Sequence, residues 1–348
     1  MRKKFFITDQ NIHLPVSEKK YLLPFLTKSS KGTKYYQVPK TNLVKKEYYA
    51  EKLFQFHQFI EIFESLGLNL KKKSFIDVGT GNAIIPKILL ITKMVKTALG
   101  TDLYSPFEHG TARIPLEKNI FGKFLKYFKI KVKKNKISYN SYYKDINLTA
   151  EKEIFKPKDI LLENLNLNNL KKYKFIKLGA QDLNKINKKF DIIYCKGIEH
   201  IHNLKIVVKN FSIISKKNSY LYLKIRPFHS YLGPHRFATS AIPWGHVLLT
   251  EKEFKRYAYE FHRPRFREML KNYYETLSMP RYSVDELVRF FEKAAFNLVC
   301  QKTETPPYIK KILKFKNEIK DFDKLIKKKG ATNLDLISSV HHLVFQKN

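Results

Sequence analysis

The sequence predicts an α/β fold: a doubly wound, mostly parallel, seven-stranded sheet with helices on its faces. Three observations predict it. Short apolar runs of strand length recur along the chain. Helical patterns stand between several of them. The first run breaks into a glycine-rich turn that opens straight into a helix.

Taken in order, residues 1–49 are polar, basic and aromatic, with Pro15, Pro24 and Pro39 interrupting any regular pattern. They read as an N-terminal extension draped over the main domain, 50–348. Residues 50–67 place Leu53, Phe54, Phe56, Phe59, Ile60, Ile62, Phe63 and Leu66 at helical spacing, and Gly67 closes that helix. Phe75–Val78 is the first strand, and a helical pattern starts at Ala83. TALGTD, ending at Asp102, is the second strand and KFIKLGA, about 174–180, the third. FDIIYC, 190–195, is the fourth, followed by a helix from Leu204 to Ile214; SYLYLKI, 219–225, is the fifth. A helix covers 282–296, with Ser283 as N-cap and Glu286 at capping-box spacing. NLVCQKTE and VHHLVFQK (340–347) complete the strands. Two long segments, about 104–173 and 227–281, exceed what a crossover needs. Both leave the C-terminal ends of strands, where open α/β sheets bind ligands, and read as a substrate cap.

Composition narrows the class. The 348 residues carry a net charge of +36, which favours an anionic partner. Of the 67 basic residues 57 are Lys, a bias that an AT-rich genome produces without selection for binding, so solvated lysine faces explain most of the charge. An aromatic share of 14% excludes a disordered chain. No apolar run is long enough for a membrane span or a signal peptide, and two cysteines are too few for a disulfide framework or structural zinc site. A reducing cytoplasm is the expected compartment.

The turn Asp77-Val-Gly79-Thr-Gly81-Asn82-Ala83 is the sharpest chemical signal. Its glycines allow a tight turn and close backbone approach, and the following helix offers free N–H groups. A dinucleotide fingerprint needs a third glycine where Ile84 stands. An acid inside the turn would repel a pyrophosphate and suits a cationic amino-acid end. Asp102 follows at the end of the second strand, placed to take both hydroxyls of a ribose. Taken singly, each has a structural explanation: a glycine pair in a βα turn, Asp102 as an N-cap, Asp182 as a turn residue, Cys195 as a small buried hydrophobe.

FIDVGTGNA, LGTDL, LGAQDL and FDIIYCKGIEHI, in that order, resemble the motif series of class I S-adenosylmethionine-dependent methyltransferases over about 75–225, and weakly to the end of the chain. The resemblance implies a Rossmann-like methyltransferase fold and S-adenosyl-L-methionine as cofactor. It implies that Asp77, Gly79, Gly81 and Asn82 surround the methionine part. It implies that Asp102 holds the ribose, that Leu103 packs on adenine, and that Ala180, Gln181 and Asp182 line the adenine edge. Cys195 would end the fourth strand beneath the sulfonium. Glu199 and His200 match a Glu-His pair, although the interval from Asp191 is shorter than the family pattern.

The acceptor side is read from clustering. Six of 11 histidines fall between 200 and 262, and eight of ten arginines between 226 and 289. His229, His235, His200 and Glu199 are candidate catalytic groups, since an alcohol acceptor needs a base. Arg226 and Arg236 are candidates to grip an anion, and Trp244 and His246 to contact a sugar ring; the alternative is that Trp244 and His246 pack in the cap's own core. No metal site is expected. These features favour methylation of an oxygen on a small molecule or saccharide, anionic and nucleotide- or lipid-linked. The alternatives are an RNA methyltransferase using the acid-free, eight-lysine stretch 118–136, contact with a membrane surface, or a degenerate, non-catalytic binding protein.

Overall fold

The computed structural model describes residues 5–16, 42–103, 120–132, 165–231, 233, 242–261, 266–271, 274, 281–305, 309–327 and 330–348. Most of the 104–173 segment, and with it the ends of the lysine-rich stretch, lies outside the described residues, as do His235 and Arg236.

A two-stranded hairpin comes first, β1 (Phe5–Ile7) with β2 (His13–Pro15). Helix α1 (Asn42–Ser65) follows. It begins well before the apolar periodicity at Leu53, because the polar stretch Lys45-Lys46-Glu47 joins the helix without adding to its apolar stripe. Then come β3 (Ser74–Val78), α2 (Ile84–Ile91), β4 (Thr97–Asp102), α3 (Ile120–Val132) and β5 (Tyr173–Lys177). Strand β5 stops short of the expected Ala180, where the chain tightens into a 3-10 turn, Ala180–Lys185. Next are β6 (Phe190–Lys196), α4 (Leu204–Ile214) and β7 (Ser215–Ile225). The 242–292 region supplies α5 (Gly245–Leu248), α6 (Glu251–Phe261), α7 (Phe266–Lys271) and α8 (Val284–Glu292). The capping box at α8 is formed: Glu286 N donates to Ser283 Oγ and Ser283 N to Glu286 Oε2. Strand β8 (Phe296–Glu304) is followed by α9 (Ile309–Glu318), α10 (Phe322–Lys327), α11 (Asn333–Ile337) and β9 (Val340–Lys347). The last three helices were not anticipated from the sequence.

The seven-stranded sheet has the order β5-β4-β3-β6-β7-β9-β8. All pairings from β5 to β7 are parallel, and β9 pairs antiparallel with both β7 and β8. The chain winds outward from β3 through β4 and β5, then returns to start β6 on the other side. The switch point therefore falls between β3 and β6, at their C-terminal ends.

Strand alternation divides the core into two layers. Phe75, Ile192, Tyr194, Tyr222 and Val344 face α1, α2 and α3, packing on Phe59, Phe63, Ile88 and Phe124. Ile76, Val78, Ile193, Cys195, Leu221 and Leu343 face α4 and α8, against Val207, Phe211 and Phe291. A third cluster joins the β1–β2 hairpin, through Phe6 and Leu14, to Trp244, Tyr257, Phe322 and Leu336. The N-terminal strands thus pack on the helices that follow β7 and β8.

Candidate functional site

Strand β3 leaves the sheet in a turn tied to its neighbour: Gly79 N and Thr80 N both donate to Thr101 O, at 2.9 and 3.0 Å. Gly79 and Gly81 have φ of 76° and 53°, the left-handed region that costs glycine least. Gly100 on β4 is needed for a different reason. A Cβ there would stand 2.9 Å from Thr80 Cγ2 and collide with the Tyr173 hydroxyl, so the turn lies on the strand only because position 100 has no side chain.

Two carboxylates frame the turn. Asp77 is 3% exposed, and its Oδ2 accepts from Thr80 Oγ1 at 2.7 Å. Burial pushes its carboxyl up to about 7, against the pull of the Thr80 bond and of Lys52 and Lys196. Asp102 Oδ2 accepts from Gly81 N at 2.9 Å, which brings the end of β4 against the second glycine. Asn82 is buried beside them. Leu103, next in the chain, is 60% exposed, so a large apolar side chain stands open beside Asp102. Its Cδ2 lies where a Cβ on Gly179 would come within 2.8 Å, and this joins the loop after β4 to the loop after β5. In that second loop Ala180 is buried and its carbonyl, with that of Gln181, accepts from Asn210 Nδ2 at 3.1 and 2.6 Å. Gln181 Nε2 donates to His202 O. Asp182 is on the surface, paired with Lys185 at 2.7 Å.

The expected cofactor residues Asp77, Gly79, Gly81, Asn82, Asp102 and Leu103 are therefore together, with Ala180 and Gln181 across the Leu103–Gly179 contact. Cys195 is placed otherwise. Its side chain belongs to the α4–α8 layer, 1% exposed, and burial raises its thiol well above the ordinary range. Strand β6 runs one residue further, and alternation puts Lys196, not Cys195, on Asp77's side of the sheet.

Lys196 opens a polar layer that the sequence did not signal. Lys196 Nζ is 3.5 Å from Glu51 Oε1 of α1, which also accepts from Gln55 Nε2 at 2.8 Å. Lys224, the register partner of Lys196 on β7, donates to Gln58 Oε1 at 2.5 Å. Gln58 Nε2 donates to Glu304 Oε1 at 2.6 Å, and the same oxygen accepts from His342 Nε2. The other ring nitrogen, Nδ1, accepts from Tyr222 Oη at 2.7 Å. Burial holds the His342 imidazole down at about 4, so the ring is neutral. Glu51, Gln55 and Gln58 lie at i, i+4 and i+7, one stripe on α1. They are three among many polar residues of the helix, which include Lys52, His57, Glu61 and Glu64, so nothing in the sequence sets that stripe apart.

The acceptor-side candidates are scattered. Glu199 sits on the turn Ile198–His200 after β6, and with Arg226, Phe228 and Tyr282 it lines a shallow groove beside the ends of β6 and β7. His200 is on the same turn and exposed. His229 is 3% exposed, packed edge-on to Phe228. His246 is buried, its Nε2 donates to Phe228 O at 2.6 Å, and burial lowers it to about 3. Trp244 is fully buried, donating Nε1–H to Leu336 O at 3.1 Å and lying edge-on to Phe322. The sugar contact expected of Trp244 and His246 has no open ring to use; both pack in the third core cluster or against its edge, because the indole and imidazole N–H groups find carbonyls there. Among the described residues no group of three His, Cys, Asp or Glu could hold a metal ion, and no helix is long and apolar enough to cross a membrane.

No protein-family model and no curated protein matches the chain. Among solved structures it is similar to the YcgJ protein from Bacillus subtilis, at 11% identity and a TM-score of 0.41 over 84% of this chain and 99% of that one. It is similar to magnesium protoporphyrin IX methyltransferase from Synechocystis PCC 6803 with bound SAH, at 9% identity and a TM-score of 0.39 over 90% of each chain. It is also similar to coclaurine N-methyltransferase bound to N-methylheliamine and SAH, at 10% identity and a TM-score of 0.40 over 83% of this chain and 72% of that one.

Proposed function

We propose that this protein is an S-adenosylmethionine-dependent methyltransferase acting on an oxygen of a small molecule or saccharide. The observation that carries the proposal is the contact of Asp102 with Gly81 N at the switch point, in a turn whose other acid, Asp77, is buried. The residues fit the cofactor. The position where a Gly79 side chain would stand is open, its nearest atom being Lys196 O at 4.0 Å. A carboxylate that burial holds near 7 gains by facing an ammonium, as the methionine end provides. Asp102 accepts hydroxyl hydrogens, and the exposed Leu103 offers an apolar face for a flat ring. The cofactor supplies an electrophilic methyl group. The chain binds and aligns the donor, keeps the acceptor beside it and takes up the acceptor's proton.

For the acceptor, Arg226, exposed at the end of β7 and close enough to act on Lys196, supports a ligand with an anionic group, bound by the guanidinium. Titration calorimetry tests the cofactor: S-adenosylmethionine binds, and Asp102→Ala weakens it by about 2 kcal/mol, some thirtyfold, through loss of charged hydrogen bonds. No heat with the wild-type protein sinks the proposal. Tritium transfer from labelled cofactor into a nucleotide-sugar and polysaccharide extract, against total RNA, tests the acceptor class.

A further inference from the structure

Strand β6 ends on Lys196, the residue after Cys195, which is the register partner of Val78 at the mouth of the glycine turn. Lys196 therefore stands beside Gly79, and its carbonyl is the atom nearest the open space there. Its side chain turns to the α1 face, is 32% exposed, and reaches Glu51 at 3.5 Å, so it is held in place and still accessible. Glu51 is oriented in turn by Gln55. Gln55 Oε1 and Tyr194 Oη, both buried on this face, have no hydrogen-bond partner among the described residues. A polar ligand between α1 and the ends of β6 and β7 would satisfy them.

The charged groups facing Lys196 come from each element around it: Glu51 and Lys52 from α1, Asp77 from β3, Lys224 and Arg226 from β7 and its end. Loss of water around the buried part of the side chain, aided by the cations Lys52, Lys224 and Arg226, brings the Lys196 ammonium down to about 7, although Glu51 favours its charged form. An ordinary lysine is a full ammonium at neutral pH and cannot accept a proton. The surplus of cations also disfavours an acceptor that arrives as an ammonium ion.

We propose that Lys196, paired with Glu51, is the proton acceptor in methyl transfer to a hydroxyl, which makes the acceptor an alcohol and not an amine. The proposal rests on the methyl-transfer function above. In the step, the acceptor's O–H bond breaks and its proton joins the free amine of Lys196, giving an ammonium beside Glu51. The oxygen's electron pair forms the O–CH3 bond. The S–CH3 bond breaks with its pair kept on sulfur, so S-adenosylhomocysteine leaves without the sulfonium charge. Lys196 returns its proton to water.

Competitive acetylation with acetic anhydride across a pH series, each lysine read by peptide mass spectrometry, tests this without a known acceptor, because only the free amine reacts. Lys196 is expected to react with a midpoint near 7, far below the range of ordinary lysines, and Lys196→Arg confirms the peptide. Glu51→Gln moves the midpoint lower, since an anion that favoured the ammonium is gone. S-adenosylmethionine, which adds a positive charge beside Lys196, lowers the midpoint in the wild-type protein, whereas S-adenosylhomocysteine leaves it in place. A Lys196 midpoint among the ordinary lysines, or one that neither Glu51→Gln nor S-adenosylmethionine moves, overturns the proposal. Calorimetry in parallel separates the failures. Cofactor binding with an ordinary Lys196 sinks only the proton acceptor, and absence of binding sinks the methyltransferase with it.

Discussion

The glycine turn and the polar layer beneath α1 adjoin at the same edge of the sheet but are assembled differently. The turn draws its groups from one short stretch, Asp77 to Asp102, fixed by hydrogen bonds between two adjacent strands. The polar layer takes Glu51, Gln55 and Gln58 from a helix and Lys196, Lys224, Glu304 and His342 from four strands. The first is a local structure that the sheet presents. The second exists only once α1 and β9 are in place, so its side chains serve stability and the site at once. A fault in the turn should therefore cost binding, and a fault in the layer should cost folding first.

Acid gives the largest expected effect and falls mainly on the layer and its surroundings. Burial lowers His57, His341 and His342 to about 4 and His246 to about 3. The unfolded chain titrates these rings near 6.5, so between that value and about 4 it binds more protons than the folded chain. The destabilisation from these rings is absent above 6.5 and grows as pH falls through this window, by several kcal/mol in order of magnitude. Asp77, raised to about 7, works in the opposite direction, one group against four. Thermal melts across the window should show a steep fall in Tm; a flat profile would mean that these rings are not buried as described.

Next in size is Glu304→Ala. It leaves Gln58, Lys224 and His342 without their shared acceptor and should cost about 3 kcal/mol of stability in a denaturant titration. Cofactor affinity of the molecules that remain folded should stay within about twofold, because the turn is self-contained. A parallel loss of affinity would break the distinction between the two regions.

The smallest effect belongs to the edge of the turn. Gly179→Ala forces Leu103 aside, since the new Cβ would sit 2.8 Å from its Cδ2. Leu103 is exposed and can yield, so Tm should hardly change and cofactor binding should weaken by about 0.5–1 kcal/mol, a few-fold. An unchanged affinity would remove Leu103 from the cofactor site.

The same contrast governs what the sequence revealed. Strands β6 and β9 and helix α4 were readable almost to the residue, because apolar spacing and turn residues mark them locally. So was the Asp77–Asp102 pair, whose partners lie within one strand-turn-helix-strand unit. Glu51, Gln58 and Glu304 carry no local mark: each is an ordinary polar residue until the fold stacks it on the others. Trp244 misled for a related reason. A lone tryptophan among histidines and arginines reads as a ligand platform, whereas Phe322 and Leu336, 78 and 92 residues on, enclose it. Lys196 carries no mark because the apolar run ends on Cys195, and moving one residue along a strand exchanges its two faces.

Strand β9 lies inside the sheet, between β7 and β8, and pairs antiparallel with both. During synthesis it emerges after β8 and after three intervening helices, so for that interval β7 has one bare edge and β8 no partner in the sheet. The parallel half can form early, but the nascent chain carries an unzipped seam until Val340–Lys347 is inserted into it. His342, which Glu304 and Tyr222 grip from either side, is part of what slots in. Ribosome-bound intermediates that stop short of β9 would thus be the forms most open to edge-to-edge pairing and to chaperones.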